Sequence, residues 1–228
     1  MLVHVHSLAS TLDAVGEALF YGREIPDQDL CEAAGWLARR QARSGQWAGM
    51  FAPTGLDYRE GVVLFSGERL RTRLGARNVL TSEAARALAL CDGALPTREA
   101  VLGRTDRWLA AQCFAGDCMI GECGHSAIGL MRYVAVREGA RAAAWLDDHL
   151  AMVAQRRDRG GWWAGLPTYY LLLALTEIDR PTARRELEYA QPACVRALQR
   201  LSGEGVVVQR RRAILLRALG RCSLPLCA

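Results

Sequence analysis

The sequence contains no lysine, because all 29 of its basic residues are arginine. Every cation is therefore a permanently charged, planar guanidinium that suits carboxylates and phosphates, and no lysine is present to form a Schiff base or act as a general base. A GC-rich bacterial genome explains this composition most simply. The net charge of +5 is mild for 228 residues, so charge alone does not indicate nucleic-acid binding.

Long apolar runs are also missing. No uninterrupted hydrophobic stretch approaches the ~20 residues that a membrane span needs, and residues 1–6 lack the basic and apolar regions of a signal peptide. We therefore expect a cytoplasmic protein with no membrane span. A chain of 228 residues that is 51% hydrophobic fits one globular domain, residues 1–228, with a sizeable core.

Helical periodicity dominates the sequence, and it is of two kinds. One group of segments carries a single apolar stripe, which is typical of amphipathic outer helices; these are residues 98–112, 142–157 and 183–201. A second group is apolar or small on every side, which indicates burial all round; these are residues 82–91, 126–136 and 168–178. The alternation predicts an all-α fold in which helical hairpins form two layers.

An insertion near residues 55–78 interrupts this pattern. Its Ser66-Gly67 turn lies between β-branched and alternating residues, which favours a short β-hairpin. A helical excursion is the alternative.

The turns between helices repeat a signature. One copy runs from Gln41 through Gly45 to Trp47, a second from Gln155 through Gly160 to Trp162, and a degenerate third from Gln112 to Gly116. A glutamine at a helix end, then Gly-x-Trp and a further glycine, resembles the repeat of squalene and terpene cyclases and of protein prenyltransferase β-subunits. The resemblance covers about residues 30–200.

That resemblance implies an α/α toroid, or a partial toroid, of about four to five helical hairpins around a central cavity. It also implies that Gln41 with Trp47, and Gln155 with Trp162, form capping and stacking pairs. The Asp-x-Asp-Asp acid motif of the cyclases is missing, and the pair Asp147-Asp148 lies on a polar helix face. A ring of only four to five hairpins would close through dimerisation or through the terminal segments, so a homodimer is one expectation.

The third turn replaces its Gly-Trp with four residues that bind metals, namely Cys113, Cys118, Cys123 and His125. Three thiols and an imidazole match the ligand set of a tetrahedral Zn²⁺ site. An iron–sulfur cluster is less favoured, because it usually takes a fourth cysteine, and small buried thiols that only pack are the remaining alternative. A full set of four ligands favours a structural zinc, whereas an incomplete set would leave a position to activate a thiol or a water.

The family resemblance bears on this site too, since protein prenyltransferases and lanthionine cyclases hold a zinc at the mouth of the same toroid. Their ligands come from separated turns, whereas the four residues here lie in one loop. Cys222 and Cys227 repeat the spacing at the C-terminus. They are candidate extra ligands if that segment folds back, or part of a frayed tail.

Two further groups of side chains are candidate ligand contacts. Aromatic residues cluster at turns that lead into buried helices and would line an apolar pocket, or they are ordinary core; these are Trp47, Phe51, Tyr58, Trp162, Trp163, Tyr169 and Tyr170. Arginines crowd the insertion and would bind an anion, or they form a solvated basic face; these are Arg69, Arg71, Arg73 and Arg77.

Three functions follow from these features. The first is a zinc-binding α/α-toroid protein that holds an apolar small molecule or peptide centrally, with or without catalysis. The second is a helical-repeat scaffold with a structural zinc and no enzymatic activity. The third and weakest is nucleic-acid binding through the arginine clusters.

Overall fold

The computed structural model describes residues 2–91, 93, 95–137 and 139–223. Within these ranges the chain forms ten α-helices, two short 3₁₀ turns and no extended strand, which confirms the predicted all-α class. The helices are α1 (Leu8–Phe20), α2 (Asp27–Arg40), α3 (Gly55–Glu60), α4 (Arg73–Leu90), α5 (Arg98–Ala110), α6 (Glu122–Ala135), α7 (Ala140–Ala154), α8 (Thr168–Glu177), α9 (Pro181–Arg200) and α10 (Val206–Ser223); the 3₁₀ turns are Gly45–Trp47 and Cys113–Ala115.

Helices that follow one another along the chain pack as α4 with α5, α6 with α7, α8 with α9, and α9 with α10, and α2 contacts α4. The helices α4, α6 and α8 are buried on most sides and form an inner layer, whereas α2, α5 and α9 bury one stripe. Small residues allow α4, α6 and α8 to approach closely. A Cβ atom at Gly129 of α6 would lie only 2.9 Å from the Tyr170 hydroxyl of α8.

The inner helices α4, α6 and α8 begin at the same end of the molecule. Glu122, the first residue of α6, accepts a hydrogen bond from the backbone N–H of Thr72, just before α4 (2.9 Å). Glu68 accepts from the backbone N–H groups of Tyr169 and Tyr170 in the first turn of α8 (3.0 and 3.1 Å). These carboxylates satisfy backbone donors that a helix start leaves unpaired.

The inner helices pack in the order α1, α4, α6, α8, α10. Side chains then connect α10 back to α1, since Arg210 donates to Asp13 (2.9 and 2.7 Å) and the Arg217 guanidinium lies 3.8 Å from the Phe20 ring centre. The two terminal helices of the chain are therefore in contact.

The insertion contains both of the structures that its sequence suggested. Residues 55–60 form α3, and residues 62–70 form a tight hairpin turn with an antiparallel bridge between Val63 and Arg69. Asp57 of α3 is buried and accepts hydrogen bonds from the Ser7 hydroxyl (2.6 Å) and the Leu8 N–H (3.1 Å). One carboxylate thus ties the insertion to the start of α1.

Charged side chains, rather than an open apolar chamber, occupy the junction of α4, α6 and α8. Arg132 of α6 is almost fully buried and donates to Glu83 of α4 (2.5 Å) and to Glu177 of α8 (2.8 and 2.9 Å). Arg86 pairs with the same Glu177 (2.9 Å), and the Tyr170 hydroxyl donates to Glu83. A cavity of about 40 Å³ adjoins this network. Such a network is stable only because each buried charge is paired and hydrogen-bonded.

No helix in the described ranges is both long enough and apolar enough to span a membrane.

Candidate metal centre

Each turn from an outer to an inner helix is tied to the next outer helix along the chain. In the turn after α2, the buried Gln41 amide donates to the Val101 carbonyl (2.8 Å) and the Thr105 hydroxyl (2.7 Å) of α5, and it accepts from Arg104 (2.8 Å). Gln41 also forms an antiparallel bridge with Phe51. The glutamine therefore fixes both the closure of its turn and the docking of the turn on α5.

The turn after α7 repeats this arrangement with different residues. Arg157 donates to Glu186 of α9 (2.7 Å), and the indole of Trp163 donates to the same carboxylate (2.9 Å). The backbones of Arg157 and Trp163 form an antiparallel bridge. Gln155 is exposed. The structural counterpart of Gln41 is thus Arg157, two residues beyond the glutamine that the repeated signature aligns with it.

The turn after α5 is anchored to α7. The Trp145 indole donates to the Ala115 carbonyl (2.9 Å) and stacks on the buried His149 ring at a centroid distance of 3.5 Å. Burial lowers the pKa of His149, whose Nδ1 lies 3.0 Å from the Trp145 carbonyl. Gln112 turns back to the Trp108 carbonyl of its own helix (2.8 Å), so the tryptophan and histidine of α7 hold this turn in place of a glutamine.

Three cysteines meet in this anchored turn. Cys113 begins the 3₁₀ turn after α5, Cys118 lies in the following loop, and Cys123 is in the first turn of α6. Their Sγ atoms all lie within 4.8 Å of one another. We name this set the three-cysteine cluster.

Packing around the loop explains how residues separated by ten positions converge. Phe114 and Met119 are each 1% exposed and anchor the two sides of the loop in the core. Gly121 then turns the chain into α6 with a φ of 58°, a left-handed conformation that glycine adopts without strain.

The separation of two of the sulfurs matches the edge of a tetrahedral metal site. The Sγ atoms of Cys113 and Cys123 are 3.8 Å apart. Four ligands at about 2.3 Å from a tetrahedral zinc place neighbouring sulfurs about 3.8 Å apart. Cys113 is exposed while Cys118 and Cys123 are half-buried, so an ion can reach the cluster from solvent.

The thiols of the cluster differ in acidity. A hydrogen bond from the Ile120 backbone, with a further one involving Cys123, lowers the pKa of Cys118. Burial, together with hydrogen bonds to the other two thiols, raises the pKa of Cys123 to about 12. Metal binding requires the thiolate form, so the positive charge of an ion would have to deprotonate Cys123.

His125, the fourth predicted ligand, is not part of this group. It lies two residues after Cys123 in α6, and residues i and i+2 of a helix point to different sides. Its Nδ1 is buried without a hydrogen-bond partner in the described part of the chain. Burial lowers the pKa of His125, and the charge of Glu122 partly offsets this. The structure therefore assembles three of the four predicted ligands.

The predicted aromatic contacts do not gather in one pocket. Phe51, Trp163 and Tyr170 are buried in the core, Trp162 and Tyr169 are half-buried, and Trp47 and Tyr58 are 40% and 36% exposed. Trp47 and Tyr58 instead stack with two of the predicted arginines, Arg77 and Arg73. Arg69 and Arg71 are exposed.

Other residues that sequence reasoning assigned, or missed, have clear positions. Asp147 lies at the surface and accepts hydrogen bonds from the side chains of Arg180 (2.7 Å) and Thr182 (2.9 Å). Its carboxylate therefore binds these two side chains at the protein surface. Cys222 donates to a carbonyl of its own helix α10, and Cys227 lies outside the described residues. The buried Arg132 network was missed, although an arginine inside the apolar segment 126–136 is a visible signal of a paired interior charge.

Comparison of the chain with protein-family models, with curated proteins and with solved structures finds no match in any of the three.

Proposed function

We propose that this protein is a helical-repeat protein that binds one Zn²⁺ through Cys113, Cys118 and Cys123. The observation that carries the proposal is the 3.8 Å separation of the Cys113 and Cys123 sulfurs, since it equals the edge of a tetrahedral zinc–thiolate site. Zinc is favoured over an iron–sulfur cluster because three thiolates fall short of the four that such clusters usually take.

We assign the ion a structural role first on its position in the fold, because three protein ligands by themselves leave a fourth coordination position open. The cluster joins the end of α5 to the start of α6 across a loop that contains the short 3₁₀ turn Cys113–Ala115 and no α-helix. A metal there would fix the turn after α5. The side chain of its glutamine, Gln112, donates to a carbonyl near the end of α5 and does not reach the next outer helix. The protein then acts as a scaffold, and its outer surfaces rather than its interior meet partners.

The architecture proposed for this scaffold is a small α/α toroid. The packing order α1, α4, α6, α8, α10 and the contacts of Arg210 and Arg217 with α1 support it, and closure from within one chain needs no second copy. Kinship with the cyclase and prenyltransferase group is part of the same proposal. The ionic network of Arg132 at the inner junction favours a filled centre over a chamber for an apolar ligand.

A second candidate is a catalytic zinc. Three protein ligands are the number that catalytic zinc sites use, with the fourth position left for water or substrate. Beside Cys118 lies a groove of about 540 Å³ lined by Asp117, Met119 and Arg156, which is large enough for a small peptide or organic ligand. This groove supports a catalytic role for a zinc ion at the surface of the three-cysteine cluster.

Elemental analysis of protein purified without chelator tests the metal site. We expect about one zinc per chain in the native protein, none in Cys118→Ser, and an unchanged content in His125→Ala. Thermal unfolding with and without the ion then separates the two roles. Loss of the native fold when zinc is removed supports the scaffold, whereas a zinc-free protein that keeps its fold and melts cooperatively at a somewhat lower temperature supports an open, catalytic site. A native protein without metal would refute both.

A further inference from the structure

A second surface, distinct from the three-cysteine cluster, combines exposed aromatic rings with arginines. It consists of Trp47 from the turn after α2, Tyr58 from α3, Arg71 just before α4, and Arg73 and Arg77 from the first two turns of α4. We name it the arginine–aromatic surface. Large aromatic side chains normally bury most of their area, so two that are 40% and 36% exposed on one face need an explanation.

The arginines hold the aromatic rings in place. The Arg77 guanidinium carbon lies 3.9 Å from the Trp47 ring centre, and that of Arg73 lies 5.2 Å from the Tyr58 ring centre. Arg73 and Arg77 are four residues apart on α4, so their side chains emerge on one face about one helical turn, roughly 5.4 Å, from each other. The result is a row of two cation–π pairs.

The positive charge of this surface is not neutralised within the described ranges. Arg71, Arg73 and Arg77 form no ion pair with a carboxylate there, and the Nε of Arg77 has no hydrogen-bond partner. Glu122, which lies nearby, accepts from the backbone N–H groups of Arg71 and Thr72 and from the Thr72 hydroxyl, and it forms no ion pair with the three guanidinium groups. Since 24 acidic residues are available in the chain, three neighbouring arginines without one are free to bind an external anion.

We propose that this surface binds single-stranded nucleic acid. Unpaired bases would stack on the exposed faces of Trp47 and Tyr58, and the phosphates between them would pair with Arg71, Arg73 and Arg77. Non-specific single-strand binding sites have this composition, a basic path with aromatic platforms. A duplex fits less well because its bases are stacked on each other, and an acidic peptide would use the arginines without needing two exposed rings.

The binding does not depend on the zinc site, because none of its five residues belongs to the cluster. The nearest link is Glu122, one residue before Cys123, whose carboxylate is bonded at Thr72. Cys118→Ser protein that stays folded should therefore bind nucleic acid as the native chain does.

Fluorescence anisotropy of the full-length protein with a labelled single-stranded oligonucleotide of about twelve nucleotides tests the contribution of the three arginines to binding. We expect binding at low ionic strength that weakens with salt, with a slope of about −0.7 in log K per log salt for each phosphate contacted. The triple variant R71A/R73A/R77A should flatten that slope by about 2, corresponding to three lost contacts. The matched control R159A/R185A/R200A, which removes three exposed arginines elsewhere, should leave the slope unchanged.

The aromatic contribution is tested separately. Trp47→Ala should weaken binding by roughly tenfold, while Trp47→Phe should restore most of the affinity, and both should keep the native circular dichroism spectrum. Equal losses in the two arginine triples, duplex binding as tight as single-strand binding, or no binding at low salt would each overturn the proposal. An unchanged affinity in Trp47→Ala would also contradict it, since the surface would then be a generic anion site.

Discussion

Arg210 donates a bidentate pair of hydrogen bonds to Asp13 (2.9 and 2.7 Å), joining positions 197 residues apart in the chain. The same guanidinium contacts Glu17 one turn later in α1 and lies 4.6 Å from the Phe65 ring centre of the hairpin turn. One side chain therefore brings together the first helix, the last helix and the insertion. Planar arginine suits such a convergence better than any other cation.

Replacing Arg210 with methionine, which keeps most of the apolar stem, should weaken this closure. It removes the partner of two carboxylates on α1, so we expect the free energy of unfolding to fall by roughly 1–3 kcal/mol. Urea unfolding followed by circular dichroism measures the change. Arg200→Met, at an exposed position of α9, is the control and should be nearly silent; equal effects of the two variants would mean that the contact contributes nothing.

The buried network predicts a dependence of stability on pH. Burial alone would raise the pKa of Glu177, but the charges of Arg132 and Arg86 outweigh it and hold the pKa below its usual 4.5. A lowered pKa means that the folded state binds this proton less readily than the unfolded state does. The carboxylate therefore stabilises the fold above about pH 4.5, and this stabilisation is lost as pH falls through the lower, folded pKa.

Glu177→Gln tests that assignment. At pH 7 the variant should be less stable by roughly 3–5 kcal/mol, because the buried Arg86 loses its carboxylate partner and Arg132 keeps only Glu83. Its stability should also change less than that of the native protein between pH 5 and pH 2. Urea titrations across this range provide both values, with Glu188→Gln on the exposed face of α9 as control. A variant with the native pH dependence would show that Glu177 is not the titrating group.

The two glutamines of the repeated signature should differ in importance. Gln41 is buried and bonded to α5 at 2.7 and 2.8 Å, whereas Gln155 is exposed. Gln41→Ala removes these buried hydrogen bonds and the acceptor of Arg104, so it should lower the unfolding free energy by about 1–3 kcal/mol. Gln155→Ala should have almost no effect. Thermal melts of the two variants side by side decide this, and equal losses would contradict the structure, since the repeated signature gives both glutamines the same role.

This difference shows what the sequence predicts well. The buried and amphipathic helices follow directly from their periodicity, because a helix that is apolar on every side, such as residues 168–178, can only be interior. The register inside a turn does not follow, since the role of Gln41 passes to Arg157 once Glu186 of α9 supplies a carboxylate. A motif of residue types cannot specify which partner the next helix presents.

The metal site shows the same division. Cysteine spacing predicted that Cys113, Cys118 and Cys123 can meet, and loop anchors at Phe114 and Met119 bring them together. The inclusion of His125 assumed an irregular loop. Because α6 begins at Glu122, helical geometry separates His125 from Cys123, and this depends on where the helix starts, a boundary that sequence locates poorly.

Trp145 should influence the metal without binding it, because its indole holds the Ala115 carbonyl within the loop at 2.9 Å. Trp145→Phe removes that hydrogen bond and should lower zinc affinity by about 10-fold, in the range seen for residues that orient ligands. Competition with a chromophoric chelator measures the affinity. Trp36→Phe, at a half-buried tryptophan of α2, is the matched control, and equal affinity in both variants would show that the loop needs no such anchor.

X-ray absorption spectroscopy of the zinc-loaded native protein tests the central claim most directly. The three-cysteine cluster predicts three sulfur neighbours at about 2.3 Å and one lighter atom at about 2.0–2.1 Å from the ion. That lighter atom should be unaffected by His125→Ala. A shell with fewer than three sulfurs, or a nitrogen neighbour that disappears in His125→Ala, would contradict the site described here.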